Sequence, residues 1–247
     1  MCIETTQDMH GLLRIGRIVA LTLQEMEAQL RPGMTTKQLD MIGGKVLRQH
    51  HARSAPILTY NFPGVTCISI NDEAAHGIPG KRVIQPSDVV KIDVSAALDG
   101  YFADAAITVL VPPVHAEHQR LYACTQAAFA AAAAAARANT PVNAVGRAAE
   151  QTTRQCGYSV MHGLPGHGVG RALHEWPTVP NVYRRTARER LPEGQVITIE
   201  PHIALGAGGM VTAPDTWTLK TQDGSVAAAY EHTVIITKDH PMLVTAR

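Results

Sequence analysis

The segment of residues 89–110 constrains the fold of this chain most strongly, because it has the pattern of a long β-hairpin. Two apolar runs flank Asp99-Gly100, a dipeptide typical of two-residue hairpin turns. With that turn at the centre, each residue before Asp99 faces the residue equally far beyond Gly100. One face is then wholly apolar, which supports this register; its facing pairs are Val90–Val109, Ile92–Ile107 and Val94–Ala105.

The opposite face of the predicted hairpin carries two carboxylates. Ser95 lies opposite Asp104, and Asp93 lies diagonally next to Asp104. Diagonal neighbours are about 7–8 Å apart between Cα atoms, so both carboxylates can reach a common pair of metal ions. A half-buried hairpin also presents polar side chains to water without any function. The hairpin alone therefore leaves a metal site and a solvated face both open.

Helical and strand patterns occur in the same order on either side of this hairpin. Apolar residues spaced by three and four predict four helices, and runs of β-branched residues predict further strands. The predicted helices cover residues 8–31, 37–50, 121–138 and 143–156, and the further strands cover 65–70, 196–200 and 228–237. No Ser/Gly-rich linker or charge block separates the halves, so we expect residues 1–247 to form a single catalytic domain.

Composition narrows the class of protein. Hydrophobic residues make up 45% and charged residues 17%, against about 25% charged in an average protein, which predicts a sizeable core. A net charge of +1 gives no field that favours nucleic acid or an anionic membrane. The four cysteines have no CxxC spacing, the first residues lack a signal-peptide pattern, and the apolar run 127–136 is too short to span a bilayer. We therefore expect a soluble cytoplasmic protein with reduced cysteines that binds neither nucleic acid nor membranes.

Further carboxylates and histidines stand beside predicted strands and loops. Glu200 ends an apolar strand before a proline, and Glu231 begins another strand. His167 and His174 flank a glycine-rich stretch, whose glycines permit close backbone approach, and His76 lies in a loop. Each of these residues is equally well explained as a solvated or structural side chain. The residues by themselves indicate a carboxylate-rich metal site and no more.

Blocks of sequence around these residues form a specific combined pattern. In chain order they are Cys67-Ile68-Ser69-Ile70-Asn71 with His76-Gly77-Ile78-Pro79, Ile92-Asp93-Val94 with Asp104, Gly166-His167-Gly168-Val169-Gly170-Arg171 with His174-Glu175, Thr198-Ile199-Glu200-Pro201, and Tyr230-Glu231-His232-Thr233. Together they resemble the pita-bread metallopeptidases, and with the chain length they resemble the type I methionine aminopeptidases. The resemblance implies an α+β pita-bread fold, in which a curved, pseudo-twofold antiparallel sheet carries helices on its outer face.

The resemblance also implies a dinuclear metal site. Its ligands would be Asp93, Asp104, His167, Glu200 and Glu231, with Asp104 and Glu231 bridging the two ions. Four carboxylates balance two dications, and an oxygen-rich set with one imidazole suits Mn, Fe, Co or Zn. Two such ions, roughly 3.5–4 Å apart, activate a shared water and polarise the scissile carbonyl.

Other catalytic and substrate-binding roles come from the same resemblance. Glu200 would accept the proton of the attacking water, His174 would hydrogen-bond the carbonyl oxygen, and His76 would contact the scissile amide nitrogen. The pocket for the methionine side chain would be lined by Phe62, Cys67, His76, Leu173, His174 and Trp217.

Several pocket assignments have alternatives or departures. Phe62, Cys67 and Trp217 are residue types that ordinary core packing explains as well. Leu173 replaces the phenylalanine usual in the bacterial enzymes, which predicts relaxed side-chain selectivity. Ala105 replaces a frequent hydroxyl residue, which predicts weaker support of the neighbouring Asp104.

The function that the resemblance implies is removal of the N-terminal methionine from nascent polypeptides whose second residue is small. The substrate would be met near the ribosome, and we expect a monomer. An Xaa-Pro-type pita-bread peptidase is one alternative, although such enzymes usually carry a separate domain before the catalytic one. A non-catalytic pita-bread binding protein is the other, although such relatives typically lose metal ligands.

Overall fold

The computed structural model describes residues 1–246. The helices are α1 (Thr6–Gln29), α2 (Thr36–Gln49), α3 (Ala55–Tyr60), α4 (Ala116–Ala135) and α5 (Val142–Gln155). The strands are β1 (Arg53–Ser54), β2 (Cys67–Ile70), β3 (Glu73–Ala75), β4 (Val89–Leu98), β5 (Tyr101–Leu110), β6 (Ser159–Val160), β7 (Gly166–Gly168), β8 (Glu175–Val179), β9 (Val196–Ile199), β10 (His202–Ala204), β11 (Met210–Thr212), β12 (Leu219–Thr221), β13 (Ala227–Ala229), β14 (Glu231–Ile235) and β15 (Met242–Leu243).

The strands form one large sheet and two small ones. The large sheet has nine strands in the order β1-β4-β5-β14-β9-β7-β8, with β2 also paired to β4 and β15 to β14. The small sheets are β13-β10-β6 and β11-β12-β3. The pairings described between strands are antiparallel, as predicted.

The central hairpin has the predicted register. Asp99 and Gly100 form the turn, both with positive φ (51° and 80°), and Ser95 pairs with Asp104. The apolar face lies in a core shared with α1 and α2. Burial of that face fixes the register, because a slip by one residue would turn the apolar side chains to the opposite side.

The two N-terminal helices cover this apolar face. The side chains of α1 that carry the predicted stripe are almost fully buried, and they include Leu12, Ile15, Val19, Leu23 and Met26. Capping boxes begin both helices: Thr5 with Asp8 in α1, and Thr35 with Gln38 in α2. Each box satisfies backbone N–H groups that have no partner within the helix.

The second helix pair covers the other half of the large sheet. Residues of α4 and α5 pack with Val179, Ile197, Ile199 and Val234 of β8, β9 and β14. Among residues 1–246, no helix combines the length and the apolar character needed to cross a membrane.

The structure joins Cys124 of α4 to Cys156, at the end of α5, in a disulfide with the Cα atoms 6.2 Å apart. The expectation that all four cysteines are reduced is therefore not met in the structure. The pairing follows from the packing of α4 against α5, which brings together residues 32 positions apart in sequence.

The predicted strand 228–237 is wrong as a single element. The chain changes sheets at Tyr230, so that β13 pairs with β10 while β14 pairs with β5 and β9. The apolar sequence of residues 228–237 does not show where the chain changes sheets, because that change depends on the strands with which each part pairs.

Candidate active site

Five neighbouring strands bring the predicted ligands together. Asp93 on β4 and Glu231 on β14 both pair with Ala106 of β5, and Asp104 lies two residues before Ala106. Residues two apart on a strand share a face, so these three carboxylates lie on one side of the sheet. Glu200 directly follows β9, and His167 lies on the adjoining β7.

All five side chains line the same pocket. Nε2 of His167 is 3.5 Å from Oε1 of Glu200 and 3.8 Å from Oδ2 of Asp104. Asp104, His167 and Glu231 each offer a ligand atom, and these atoms lie within 4.8 Å of one another.

Three oxygens in this group are buried without a hydrogen-bond partner: Asp93 Oδ1, Asp104 Oδ1 and Glu231 Oε1. Buried acceptors are normally paired, because an unpaired one costs free energy. Clustered unpaired carboxylate oxygens beside an imidazole fit a cation bound between them.

The close packing of these buried carboxylates changes their pKa values. Burial, followed by the charge of Glu200, raises the pKa of Asp93 to about 6. Burial and the neighbouring carboxylates raise the pKa values of Asp104 and Glu231 well above their usual range. Because like charges in a desolvated site resist ionisation together, the group retains protons that a bound cation would displace.

Glu200 has a different environment from the other carboxylates. Burial raises its pKa, but the hydrogen bond from His202, the charges of His167 and His202 and the hydrogen bond from Thr198 outweigh that effect and lower it. His202 Nε2 lies 3.3 Å from Oε2 of Glu200. An ionised carboxylate with these donors is suited to accept a proton. Sequence reasoning missed His202, and it included Thr198 in a motif without a role, although each stands two residues from Glu200.

Two glycines let the strand that bears His167 approach its neighbours. A Cβ at Gly166 would lie 2.5 Å from the carbonyl oxygen of Thr198, and one at Gly168 would lie 2.2 Å from that of Trp176. Real Cβ atoms do not approach backbone oxygens so closely, so glycine is required on both sides of His167.

His174 and His76 lie on the walls of the pocket, outside the ligand group. Oε1 of Glu175 holds the loop before His174 by accepting hydrogen bonds from the backbone N–H groups of Arg171 (2.5 Å) and Ala172 (2.7 Å). Desolvation and the nearby His167 lower the pKa of His174 to about 4. His174 is therefore a neutral hydrogen-bonding group at physiological pH.

The loop that carries His76 is fixed against β2. His76 has a positive φ of 56°. The backbone N–H of Gly77 donates to Oγ of Ser69 over 2.9 Å, and a Cβ at Gly77 would lie 2.2 Å from the carbonyl oxygen of Ile68. This close approach holds His76 at the pocket.

The apolar part of the pocket contains the residues expected to hold a methionine side chain. The rings of Phe62 and Trp217 meet edge to face, with their centroids 5.2 Å apart. Leu173, which is almost fully buried, also lines the pocket. Cys67 pairs in register with Asp93, and burial raises the pKa of its thiol, so it remains neutral.

Every candidate site residue named from the sequence lines this one pocket; the lining residues that were missed are Pro56, Tyr60, Ser95, Leu164 and Pro165. The expectation for Ala105 is wrong. Ala105 pairs with Val94, and its side chain lies in the apolar core on the opposite face of β5 from Asp104, so no side chain at this position reaches that carboxylate. The backbone of Ala105 does contact Asp104, and its hydrogen bond lowers the pKa of that carboxyl against the larger effects that raise it.

Comparison with known proteins agrees with this geometry. The model of metallopeptidase family M24 matches residues 10–238. Methionine aminopeptidase 2 of Bacillus subtilis is 43% identical over 247 residues, covering 99% of both chains. The crystal structure of methionine aminopeptidase from Thermotoga maritima superposes with a TM-score of 0.96 at 29% identity, covering 100% of both chains.

A more distant structure shares the architecture. Prolidase from Pyrococcus furiosus has a TM-score of 0.81 at 21% identity, over 100% of this chain and 66% of the prolidase. That likeness shows the fold alone, and it confirms the predicted α+β pita-bread fold. The sequence matches go further: the chain belongs to metallopeptidase family M24 and, within it, to the methionine aminopeptidases.

Proposed function

We propose that this protein hydrolyses the peptide bond after the N-terminal methionine of nascent polypeptides whose second residue is small. The observation that carries the proposal is the placement of five ligand-type side chains by adjacent strands on the wall of one pocket, next to an apolar recess. The names of the methionine aminopeptidases that this chain resembles supply the substrate.

In this proposal, Asp93, Asp104, His167, Glu200 and Glu231 hold two divalent ions, which are Mn, Fe, Co or Zn. The unpaired carboxylate oxygens and the donor set of four carboxylates and one imidazole fit such ions. When bound, the ions would activate a water molecule and polarise the scissile carbonyl.

Side chains of the protein then transfer the proton of the water and stabilise the charge that develops on the substrate. Glu200 accepts the proton of the attacking water, since its hydrogen bonds from Thr198 and His202 favour the ionised form. Neutral His174 donates a hydrogen bond to the carbonyl oxygen as negative charge develops there. His76 contacts the scissile amide nitrogen from the opposite loop.

The recess formed by Phe62, Cys67, Leu173 and Trp217 receives the methionine side chain. Aromatic edges and a neutral thiol offer a thioether favourable contacts. His76 and His174 border the recess and orient the bond to be cut.

Both halves of the chain contribute ligands, which supports residues 1–247 as one catalytic domain. Nascent polypeptides, met near the ribosome, are the partners, and we place the enzyme in the cytoplasm as a monomer that binds neither nucleic acid nor membranes.

A peptide panel tests the proposal against its two rivals. Metal-reconstituted protein should release methionine rapidly from Met-Ala-Ser and Met-Gly peptides, and slowly from Met-Lys and Met-Leu peptides. Faster cleavage of Xaa-Pro peptides would identify the proline-specific type of enzyme instead. Bound metal without cleavage of any peptide would identify a binding protein. Glu200→Gln is the control for contaminating peptidases.

A further inference from the structure

A contact between distant parts of the chain lies at the mouth of the pocket. Tyr60, the last residue of α3, places its hydroxyl 2.7 Å from Nδ1 of His174. The two rings also meet, tilted by 51° with centroids 5.5 Å apart. The two residues are 114 positions apart in sequence, so they come into contact only in the folded protein.

The chemistry of the two groups decides what the contact does. Above the ordinary histidine pKa the imidazole is neutral and carries one proton, on either Nδ1 or Nε2. A phenol is a better hydrogen-bond donor than acceptor, whereas an unprotonated imidazole nitrogen is a good acceptor. The hydroxyl of Tyr60 therefore donates to Nδ1, and the ring proton resides on Nε2.

We propose that Tyr60 is a positioning residue, which fixes His174 in the tautomer protonated on Nε2 and orients that N–H for the substrate carbonyl. The consequence for catalysis rests on the proposed function, in which His174 donates to the carbonyl oxygen. With Nδ1 engaged by Tyr60, Nε2 is the nitrogen that remains for the substrate. A ring in the wrong tautomer would present a lone pair to the developing negative charge and would repel it.

Tyr60→Phe isolates the hydroxyl, because it keeps the ring that contacts His174. Tyr183→Phe is the matched control: Tyr183 is also an exposed tyrosine, but it stacks under Arg147 outside the pocket. Both variants should fold normally, which thermal unfolding checks.

The decisive readout is nitrogen NMR of ¹⁵N-histidine-labelled, zinc-loaded protein at about pH 8, above the histidine pKa. The His174 signals are assigned from their loss in His174→Ala. In the unsubstituted protein Nε2 should carry the proton and Nδ1 should show an accepted hydrogen bond. In Tyr60→Phe the Nδ1 signal should shift and the tautomers should mix, while Tyr183→Phe leaves both signals in place.

Kinetics on Met-Ala-Ser provide the second readout. Tyr60→Phe should lower kcat about tenfold, the effect of one hydrogen bond, with KM and zinc affinity unchanged. His174 signals and kcat that are both unchanged in Tyr60→Phe would overturn the inference while leaving the proposed function intact. An unsubstituted protein that does not cleave Met-Ala-Ser would refute the proposed function, and the NMR comparison would still decide whether Tyr60 fixes the tautomer.

Discussion

The hydroxyl of Thr198 donates a hydrogen bond to Oε1 of Glu200 over 2.7 Å. The same hydroxyl oxygen accepts a hydrogen bond from the backbone N–H of His167 over 3.0 Å. Thr198 is fully buried, so water does not replace either bond. One side chain thus fixes the distance between the proposed general base and the one proposed imidazole ligand.

Thr198→Val tests this link. The change leaves the N–H of His167 unpaired, so the free energy of unfolding should fall by about 1–3 kcal/mol. We also expect kcat to fall about tenfold, since groups that orient metal ligands typically have effects of this size. Thr125→Val is the matched control, because that buried hydroxyl bonds only within α4, to Leu121. Equal kcat values for the two variants would contradict the proposed link.

The histidines should separate into ligand and substrate-contacting residues. His167→Ala should weaken metal affinity and lose activity together. His174→Ala should keep its metal affinity while kcat and kcat/KM both fall by about 10²–10³, the usual effect of one oxyanion donor. His76→Ala should behave similarly, with a raised KM. Calorimetric titration gives the metal affinity of all three variants, and steady-state kinetics give their kcat and KM. If His174→Ala lost metal affinity as severely as His167→Ala, the assignment of His174 as a substrate-contacting residue would be wrong.

Leu173→Phe should increase the preference for methionine over leucine or norleucine. The effect should be clearest against leucine, because an aromatic ring narrows the recess and a branched side chain fits a narrow recess poorly. The ratio of kcat/KM values for methionine and leucine substrates should change by the equivalent of about 1–3 kcal/mol. An unchanged ratio would show that Leu173 does not contact the substrate side chain.

In the metal-free protein, Asp93 should become progressively destabilising to the folded state as pH rises from about 4 to 6. The pKa of Asp93 is raised from 3.8 to about 6 on folding, so in this range the folded state binds more protons than the unfolded state. The melting temperature of the unsubstituted protein, measured relative to that of Asp93→Asn, should therefore fall as pH rises through this range. Stabilisation by added metal should increase over the same range, because metal displaces those protons. If the melting temperatures of the two proteins changed with pH in parallel, the proposed effect of Asp93 would be contradicted.

Local patterns in the sequence predicted the hairpin and its two carboxylates correctly. The turn at Asp99-Gly100 and the apolar face determine the register, and the register determines that Asp93 and Asp104 share a face. These features depend on neighbours in sequence and on a two-residue period, which a single sequence displays.

Contacts between distant segments could not be predicted in this way. The hydrogen bond between Tyr60 and His174 and the disulfide between Cys124 and Cys156 join segments that share no periodic pattern. The change of sheet at Tyr230 also depends on distant segments, because it is set by the strands with which β13 and β14 pair. The other pocket residues were named from a family resemblance, which carries such long-range information.

Release of methionine from Met-Ala-Ser by chelated and reconstituted protein tests the central proposal most directly. We predict no release after exhaustive chelation, and recovery when Mn, Co or Fe is added back, because the proposed ligands do not activate water without metal. Glu231→Gln, which removes one proposed ligand, should recover poorly under the same conditions. Full activity in chelated protein that elemental analysis shows to be free of metal would contradict the proposed metal-dependent mechanism.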